Sequence, residues 1–467
     1  MSWRLGFHGA ARTVTGSRYL LDNGKQRTLI DAGLFQGFKK LRELNWEDPP
    51  FALDSIDRIL LTHAHIDHIG ALPRLVRHGY RGPVYCTRAT RELARILLAD
   101  SAKLHEEDAR YANRKGFSKH HPALPLYTVK DAKATMKQFE VVRRDEWVDL
   151  GSGAKARFHG AGHILGSTHI EVRLGGGTGG SLVFSGDIGR YDMPLHLDPQ
   201  PRPRCDVLVC ESTYGDRDHD PSIPIEEQFR RPIAATIARG GTVLIPSFAV
   251  GRAQLITLIL RRLILDGSLP HVPVHIDSPM AVDATHIYSQ HLDEHHLDPD
   301  VFADERTALF PDDVELCRSV ADSKRLNELD GPRIIVSASG MLTGGRVLHH
   351  LRRLLGDPKN LIVIAGYQAP GTRGRALLEG QPTLRIHGTD FPVHAHTVAI
   401  SGLSAHADRS ELIRWIRSCD ELPRKVFLTH GEPEASFAFA TRLESQLGLD
   451  VEVPELDQTV ELDPWLR

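Results

Sequence analysis

The sequence predicts an α/β protein, on three observations. Short β-branched or leucine-rich runs recur and each leads to a polar residue: Leu29-Ile30 to Asp31, Ile59-Leu60-Leu61 to a histidine cluster, Leu182-Val183-Phe184 to Asp187, and Val207-Leu208-Val209 to Glu211. The pattern continues with Val243-Leu244-Ile245 and Ser247, Ile334-Ile335-Val336 and Ser337, Val398-Ala399-Ile400 and His406, and Val426-Phe427-Leu428 and His430. Helix-period stretches lie between these runs, and buried strands that deliver polar groups from their carboxyl ends are how α/β folds build a site. With 41% hydrophobic and 25% charged residues the chain can bury a large core, which excludes global disorder.

Taken in order, Thr15 to Leu21 and Gln26 to Ile30 flank a turn at Asp22-Asn23-Gly24, a hairpin signal. Ala71 to His78 carries Leu72, Leu75 and Val76 on one helical face and stops at Gly79. Gly175 to Gly180 joins strand-like Thr168 to Leu174 and Ser181 to Phe184. Without the lysine of a phosphate-binding loop, it reads as a long hairpin tip. Arg252 to Asp266 places Leu255, Ile256, Ile259, Leu260, Leu263 and Ile264 on one side and ends at Gly267. Asp408 with Glu411 reads as a capping box opening a helix from Arg409 to Ser418. Glu434 to Leu447, between Pro433 and Gly448, is the last helix. The proline- and arginine-rich stretch Pro199 to Arg204 marks a boundary, after which regular strand-helix alternation sets in, as for an inserted unit.

Five cysteines, an odd number without C-x-x-C spacing, argue against a disulfide framework or a cysteine zinc site. No apolar run approaches the ~20 residues needed to cross a bilayer, and the N-terminus has no secretory pattern. A cytoplasmic protein is the expectation. A net charge of −3 does not advertise a polyanion partner. Local basic surface decides such binding, and Arg252, Arg261, Arg262, Arg346, Arg352, Arg353, Arg373 and Arg375 supply candidates in the second half of the chain.

His63-Ala64-His65-Ile66-Asp67-His68 crowds four metal-grade side chains into six residues at a strand end. Imidazole nitrogen and carboxylate oxygen are zinc ligands, and three of them with a water make a catalytic site. His63 and His65 point one way while Asp67 and His68 turn toward a second point, which suits two neighbouring metals sharing a hydroxide.

This run, with the following Ile69-Gly70-Ala71-Leu72-Pro73, resembles the metal-binding motif of the metallo-β-lactamase fold, and the remaining motifs resemble its β-CASP branch, largely nucleases acting on RNA. The resemblance implies a metallo-β-lactamase αββα sandwich with an inserted α/β β-CASP domain: residues 1–205, an insert over 206–392, and a return to the first domain over 393–467. It assigns His63, His65 and His163 to a first zinc, Asp67, His68 and His430 to a second, and Asp187 to the bridge, two Zn2+ per chain. Asp31 is expected to orient a ligand or the bridging water. Glu211, in Cys210-Glu211-Ser212-Thr213-Tyr214, and His406, in Leu403-Ser404-Ala405-His406-Ala407-Asp408, match the acidic and histidine motifs of the branch. An imidazolium at His406 would protonate the leaving oxygen, with Glu211 favouring its charged form. A histidine at position 430 is similar to the RNA-processing members, whereas relatives acting on DNA tend to carry an apolar residue there. The segments Ser247 to Arg252 and Ser337-Ala338-Ser339-Gly340 resemble substrate-cleft segments; Ser247, Arg252, Ser337, Ser339 and Gly340 are the candidate contacts to phosphate.

The expected function is thus a zinc-dependent ribonuclease hydrolysing RNA phosphodiester bonds through a bridging hydroxide, with single-stranded RNA between the two domains and no membrane partner. It would act as monomer or homodimer. The alternatives are a DNA-acting β-CASP nuclease and a small-molecule thioester or ester hydrolase on the same fold. A di-iron redox protein fits less well, since relatives of that type place glutamate where His65 stands.

Overall fold

A computed structural model describes residues 2–116, 118, 120–175, 179–219, 223–296, 314–366, 368 and 371–466. The chain divides into two compact units, residues 1–218 with 406–467, and residues 219–405.

The first unit is built on two seven-stranded sheets. One runs in the order Gln458–Glu461, Arg4–Phe7, Tyr19–Asp22, Arg27–Ile30, Arg58–Leu60, Val84–Cys86, Phe139–Val141. The other runs Val451–Glu452, Lys425–Thr429, Val207–Glu211, Ser181–Phe184, Thr168–Arg173, Ala154–Gly160, Trp147–Gly151. Side chains alternate across a strand, and the two faces of the second sheet bury different partners. Leu182, Phe184, Val207, Val209 and Phe427 join Leu5, Phe7, Tyr19, Ile30 and Leu60 of the first sheet in one core. Val183, Leu208, Cys210, Val426 and Leu428 face the other way, onto Leu412, Trp415 and Ile416 of helix Arg409–Ile416 and Phe439 and Leu443 of helix Pro433–Leu447. This is the layered sandwich with an α/β insert that the sequence implied. The long helix Arg88–Lys115, capped by Thr87 accepting from the Thr90 N–H, packs against helix Val129–Thr135 and strand Phe139–Val141.

Strand pairing sets where polar groups emerge. Arg27–Ile30 runs parallel to Arg58–Leu60, and Ser181–Phe184, Val207–Glu211 and Lys425–Thr429 are mutually parallel neighbours. Each parallel set therefore presents its carboxyl ends together. The early hairpin forms as Tyr19–Asp22 paired with Arg27–Ile30. Thr15 to Arg18, expected as strand, is irregular instead. Its backbone is drawn onto the histidine loop, with the Ser17 N–H donating to the Asp67 carbonyl at 2.9 Å and the Ser17 carbonyl accepting from Gly33 at 3.0 Å. Strands Thr168–Arg173 and Ser181–Phe184 are antiparallel; residues 176–178 of the glycine-rich tip between them lie outside the described residues.

The second unit carries a six-stranded sheet in the order Val314–Leu316, Val274–Asp277, Arg333–Ser337, Thr242–Pro246, Leu361–Ile364, His396–Ala399, parallel throughout. Its central strands are buried along their whole length, as a sheet covered by helices on both faces requires. The compact units divide after residues 218 and 405. The reason is pairing: Val207–Glu211 lies between Ser181–Phe184 and Lys425–Thr429, while His396–Ala399 pairs with Leu361–Ile364 of the insert's own sheet. Among the described residues no helix is long and apolar enough to cross a membrane.

Candidate metal centre

Six strand ends of the first unit deliver the residues singled out in the sequence. Asp31 follows Arg27–Ile30, the histidine loop follows Arg58–Leu60, and His163 lies between Ala154–Gly160 and Thr168–Arg173. Asp187 follows Ser181–Phe184, Glu211 ends its own strand, and His430 follows Lys425–Thr429. Asp31 and His430 leave their strands with φ of 58° and 49°. A left-handed backbone costs about 1–3 kcal/mol outside glycine, and Asp and His tolerate it better than most residues. Gly189 is needed for closure, because a Cβ there would stand 2.1 Å from the Gly162 carbonyl in the loop carrying His163.

The distances test whether cations fit. Two ligands at about 2.0–2.1 Å from a tetrahedral zinc stand about 3.3–3.4 Å apart. His65 Nδ1 lies 3.1 Å from His63 Nε2 and 3.2 Å from His163 Nε2, and both of those nitrogens lie 3.4 Å from Asp187 Oδ2. On the other side, Asp187 Oδ1 is 3.3 Å from His68 Nε2, and Asp67 Oδ2 is 3.3 Å from His430 Nε2 and 4.0 Å from His68 Nε2. Asp187 thus turns one oxygen to each group. Its Oδ1 is buried without a hydrogen-bond partner among the described residues, a costly arrangement for a carboxylate unless a cation meets it. The donor set and its spacing fit metal ions in two groups, one of His63, His65, His163 and Asp187, the other of Asp67, His68 and His430, with Asp187 Oδ1 facing His68.

Neighbouring groups fix the ring orientations. Asp31 accepts from the Thr62 N–H and hydroxyl, each at 2.8 Å, and from His68 Nδ1 at 2.8 Å, so His68 presents Nε2 to the centre. Glu211 Oε1 accepts from the Ile188 N–H at 2.6 Å, while its Oε2 takes His406 Nδ1 at 3.0 Å and the Thr213 hydroxyl at 2.6 Å. His406 Nδ1 also stands 3.9 Å from Asp187 Oδ2, and its ring is 20% exposed where most of the centre is closed.

The electrostatics follow from burial and from who faces whom. Burial drives His63 well below its ordinary value, and His68 adds to the effect; burial brings His65 down to about 4. Both are neutral at pH 7, the form a metal needs. Burial opposes charge on Asp187 too, but His430, His68 and His63 outweigh it and hold the carboxyl well below the usual range. His68 goes the other way: against its burial, Asp187 and Asp31 raise it well above 6.5. Desolvation would lower His406, but Glu211 and Asp187 outweigh it and push the ring up to about 9.

The second unit's candidates gather at the carboxyl edge of its sheet, where Pro246 pairs with Ser337. Their hydroxyls are largely committed. Ser247 donates to the Phe248 carbonyl at 3.0 Å and Ser337 to the Asp277 carbonyl at 3.1 Å, and both are buried. They shape the loops. Ser339 is half-buried 3.1 Å from the Thr343 hydroxyl, the Gly340 carbonyl accepts from Gln368, and Arg252 lies over the Phe248 ring at 5.1 Å. Thr62 and Thr213, which lock the ligand and acid histidines, escaped the sequence reading. The signal available was position alone: Thr62 immediately before His63, and Thr213 two residues after Glu211.

A layered sandwich carrying a histidine and aspartate centre at its strand ends defines a metallo-hydrolase of the metallo-β-lactamase fold. Comparison agrees: residues 12–227 match the metallo-β-lactamase superfamily, residues 253–377 a β-CASP domain, and residues 390–454 a Zn-dependent metallo-hydrolase RNA specificity domain. The chain is 37% identical over 444 residues to Ribonuclease TTHA0252 of Thermus thermophilus, covering 93% of this chain and 94% of that one. It is 33% identical over 451 residues to transcription termination factor FttA of Methanocaldococcus jannaschii, covering 94% and 68%. A crystal structure of a protein of unknown function from Enterococcus faecalis V583 superposes with a TM-score of 0.54 over 99% of this chain and 100% of that one, at 13% identity, a likeness of fold alone. The chain belongs to the β-CASP metallo-hydrolases of the metallo-β-lactamase superfamily.

Proposed function

We propose that this chain is a dizinc ribonuclease that hydrolyses phosphodiester bonds in single-stranded RNA in the cytoplasm, with residues 219–405 acting as the β-CASP insert. The observation that carries the reading is the His406–Glu211 pair beside Asp187. Thioester hydrolysis expels a thiolate that leaves without a proton, whereas a ribose alkoxide needs one. With Nδ1 engaged by Glu211 at 3.0 Å, the transfer would run from His406 Nε2, and Glu211 holds the ring at the angle required. Zinc ions held by the two ligand groups would supply an activated water and neutralise charge on the attacked phosphate. Asp31 and Thr213 keep the ligand rings turned inward. The match of residues 390–454 to an RNA specificity domain spans both His406 and His430, and the relative named a ribonuclease is similar over nearly all of both chains. Both support RNA over other esters.

The test is incubation of the zinc-loaded protein with end-labelled RNA and DNA of one sequence, beside His63→Ala. Cleavage of RNA alone, lost together with bound zinc in His63→Ala, is expected. Equal cleavage of DNA would move the assignment to the DNA-acting members, and turnover of a thioester with both strands intact would overturn it.

A further inference from the structure

The second unit holds a donor cluster that the hydrolytic centre does not use. His275 on Val274–Asp277 is the register partner of Glu315 on the edge strand Val314–Leu316, so their side chains share one face of the sheet. Cys317 lies two residues beyond Glu315 and so faces the same way, its N–H continuing the ladder to the Ile276 carbonyl at 3.0 Å. One ligand atom from each of the three lies within 4.8 Å of the others.

Two further observations point to a ligand. His275 is 3% exposed, and neither ring nitrogen has a hydrogen-bond partner among the described residues. A histidine buried in that state loses water at both nitrogens, and the Glu315 carboxylate beside Nδ1 is the charge that faces it. Glu315 divides its oxygens: Oε1 is engaged by Arg325, while Oε2 faces His275 Nδ1 at 3.3 Å. That is the separation of two ligands on one tetrahedral zinc. Cys317 is fully buried and unoxidised.

We propose that His275, Glu315 and Cys317 bind a divalent cation of the zinc type, which clips the three-residue edge strand Val314–Leu316 onto its sheet. A nitrogen, a sulfur and one carboxylate oxygen favour zinc over magnesium or calcium, which take oxygen. One thiolate and one carboxylate balance the charge of the ion, and Arg325 restrains the glutamate from outside. The hydrolytic centre contains no cysteine, so sulfur ligation marks this site alone.

Cobalt reports it. The full-length protein, stripped of metal and titrated with Co2+, should develop the near-ultraviolet sulfur-to-cobalt absorption that nitrogen and oxygen ligands cannot give. Cys317→Ser and His275→Ala should each abolish that band while leaving the visible cobalt bands of the hydrolytic centre, and zinc retained after dialysis should fall by one equivalent per chain in each. Glu315→Gln, at a partly exposed position that tolerates the change, should raise the cobalt concentration for half-saturation of the band at least tenfold, and serves should the buried substitutions prevent folding. Absence of the band in the unaltered protein, its survival in Cys317→Ser, or an unchanged titration in Glu315→Gln would each overturn the proposal.

Discussion

Thr213 has one hydroxyl proton and several neighbours that want it. The proton goes to Glu211 Oε2 at 2.6 Å in preference to the His430 carbonyl at 3.0 Å, so the oxygen is left to accept from His430 Nδ1 at 3.1 Å. His430 then presents Nε2 toward Asp67. One side chain in this way sets the tautomer of a ligand and supports the carboxylate that holds the acid. Removing such a partner typically weakens metal binding 10–100-fold, so Thr213→Val should lower zinc affinity by about tenfold in a chelator competition; unchanged affinity would mean that His430 orients itself. His406→Ala separates acid from metal: zinc content should stay as in the parent while single-turnover cleavage slows by roughly 10²–10⁴-fold. Full-rate cleavage by His406→Ala would remove it from the mechanism. The crowded part of the candidate centre was legible in sequence because His63 to His68 sit within six positions. The hydroxyls were not, because a threonine beside a ligand looks the same whether its side chain turns inward or out.

At the scale of single elements, strands and caps were legible where chemistry is local. The Asp408–Glu411 box forms as read, Asp408 accepting from the Glu411 N–H and Glu411 accepting in return. The 28-residue helix Arg88–Lys115 was not foreseen; its apolar positions, Leu93, Leu97 and Leu98 among them, are diluted by charge along an exposed face. Nor was the network at the end of Val274–Asp277 visible, since its members come from three segments: Asp277 itself, Ser323 on helix Val320–Leu326, and Arg346 at the start of helix Val347–Leu354 with His350 on it. Asp277 is buried and accepts from His350 Nε2 at 2.7 Å, Ser323 at 2.6 Å and Arg346 at 2.8 Å. Burial raises its pKa, yet these donors outweigh burial and leave it below the ordinary value of 3.8. A depressed carboxyl contributes stability above its unfolded pKa and loses it as pH falls through the folded one. Asp277→Asn should therefore destabilise the protein at pH 7 by about 3 kcal/mol, the scale for breaking a buried charge pair, and the deficit should shrink as pH falls below the ordinary carboxyl value and through the lowered one. Denaturant melts at pH 7 and pH 3 measure both; equal losses at the two would show that shape, not charge, matters there. A C-x-x-C search sees spacing along the chain, so the meeting of His275, Glu315 and Cys317 across strands lies outside what it reads.

For the whole molecule, the residues of the candidate centre span 63 to 430, and their convergence depends on the strands that carry them being neighbours in sheets rather than in sequence. That convergence sets a balance of protons. Without cations, His68 keeps a proton at neutral pH because Asp187 and Asp31 raise it well above 6.5, against the burial that would lower it. A raised pKa stabilises the metal-free fold fully below the unfolded value, about 6.5, and the benefit is lost as pH rises through the folded one. Metal ligation requires the opposite, a neutral ring, so zinc uptake expels that proton and affinity rises with pH. Asp187 and Asp67 stay ionised throughout, since each lies below its ordinary range. Zinc should thus raise the melting temperature over chelated protein, by about 4 kcal/mol equivalent at a thousandfold excess over Kd, and the gap should widen from pH 6 to pH 8. Calorimetric titrations in buffers of different ionisation enthalpy should show net proton release at pH 7. A gap that narrows with rising pH, or uptake of zinc without release of protons, would mean that His68 is neutral before the metal arrives and that Asp31 orients it without charging it.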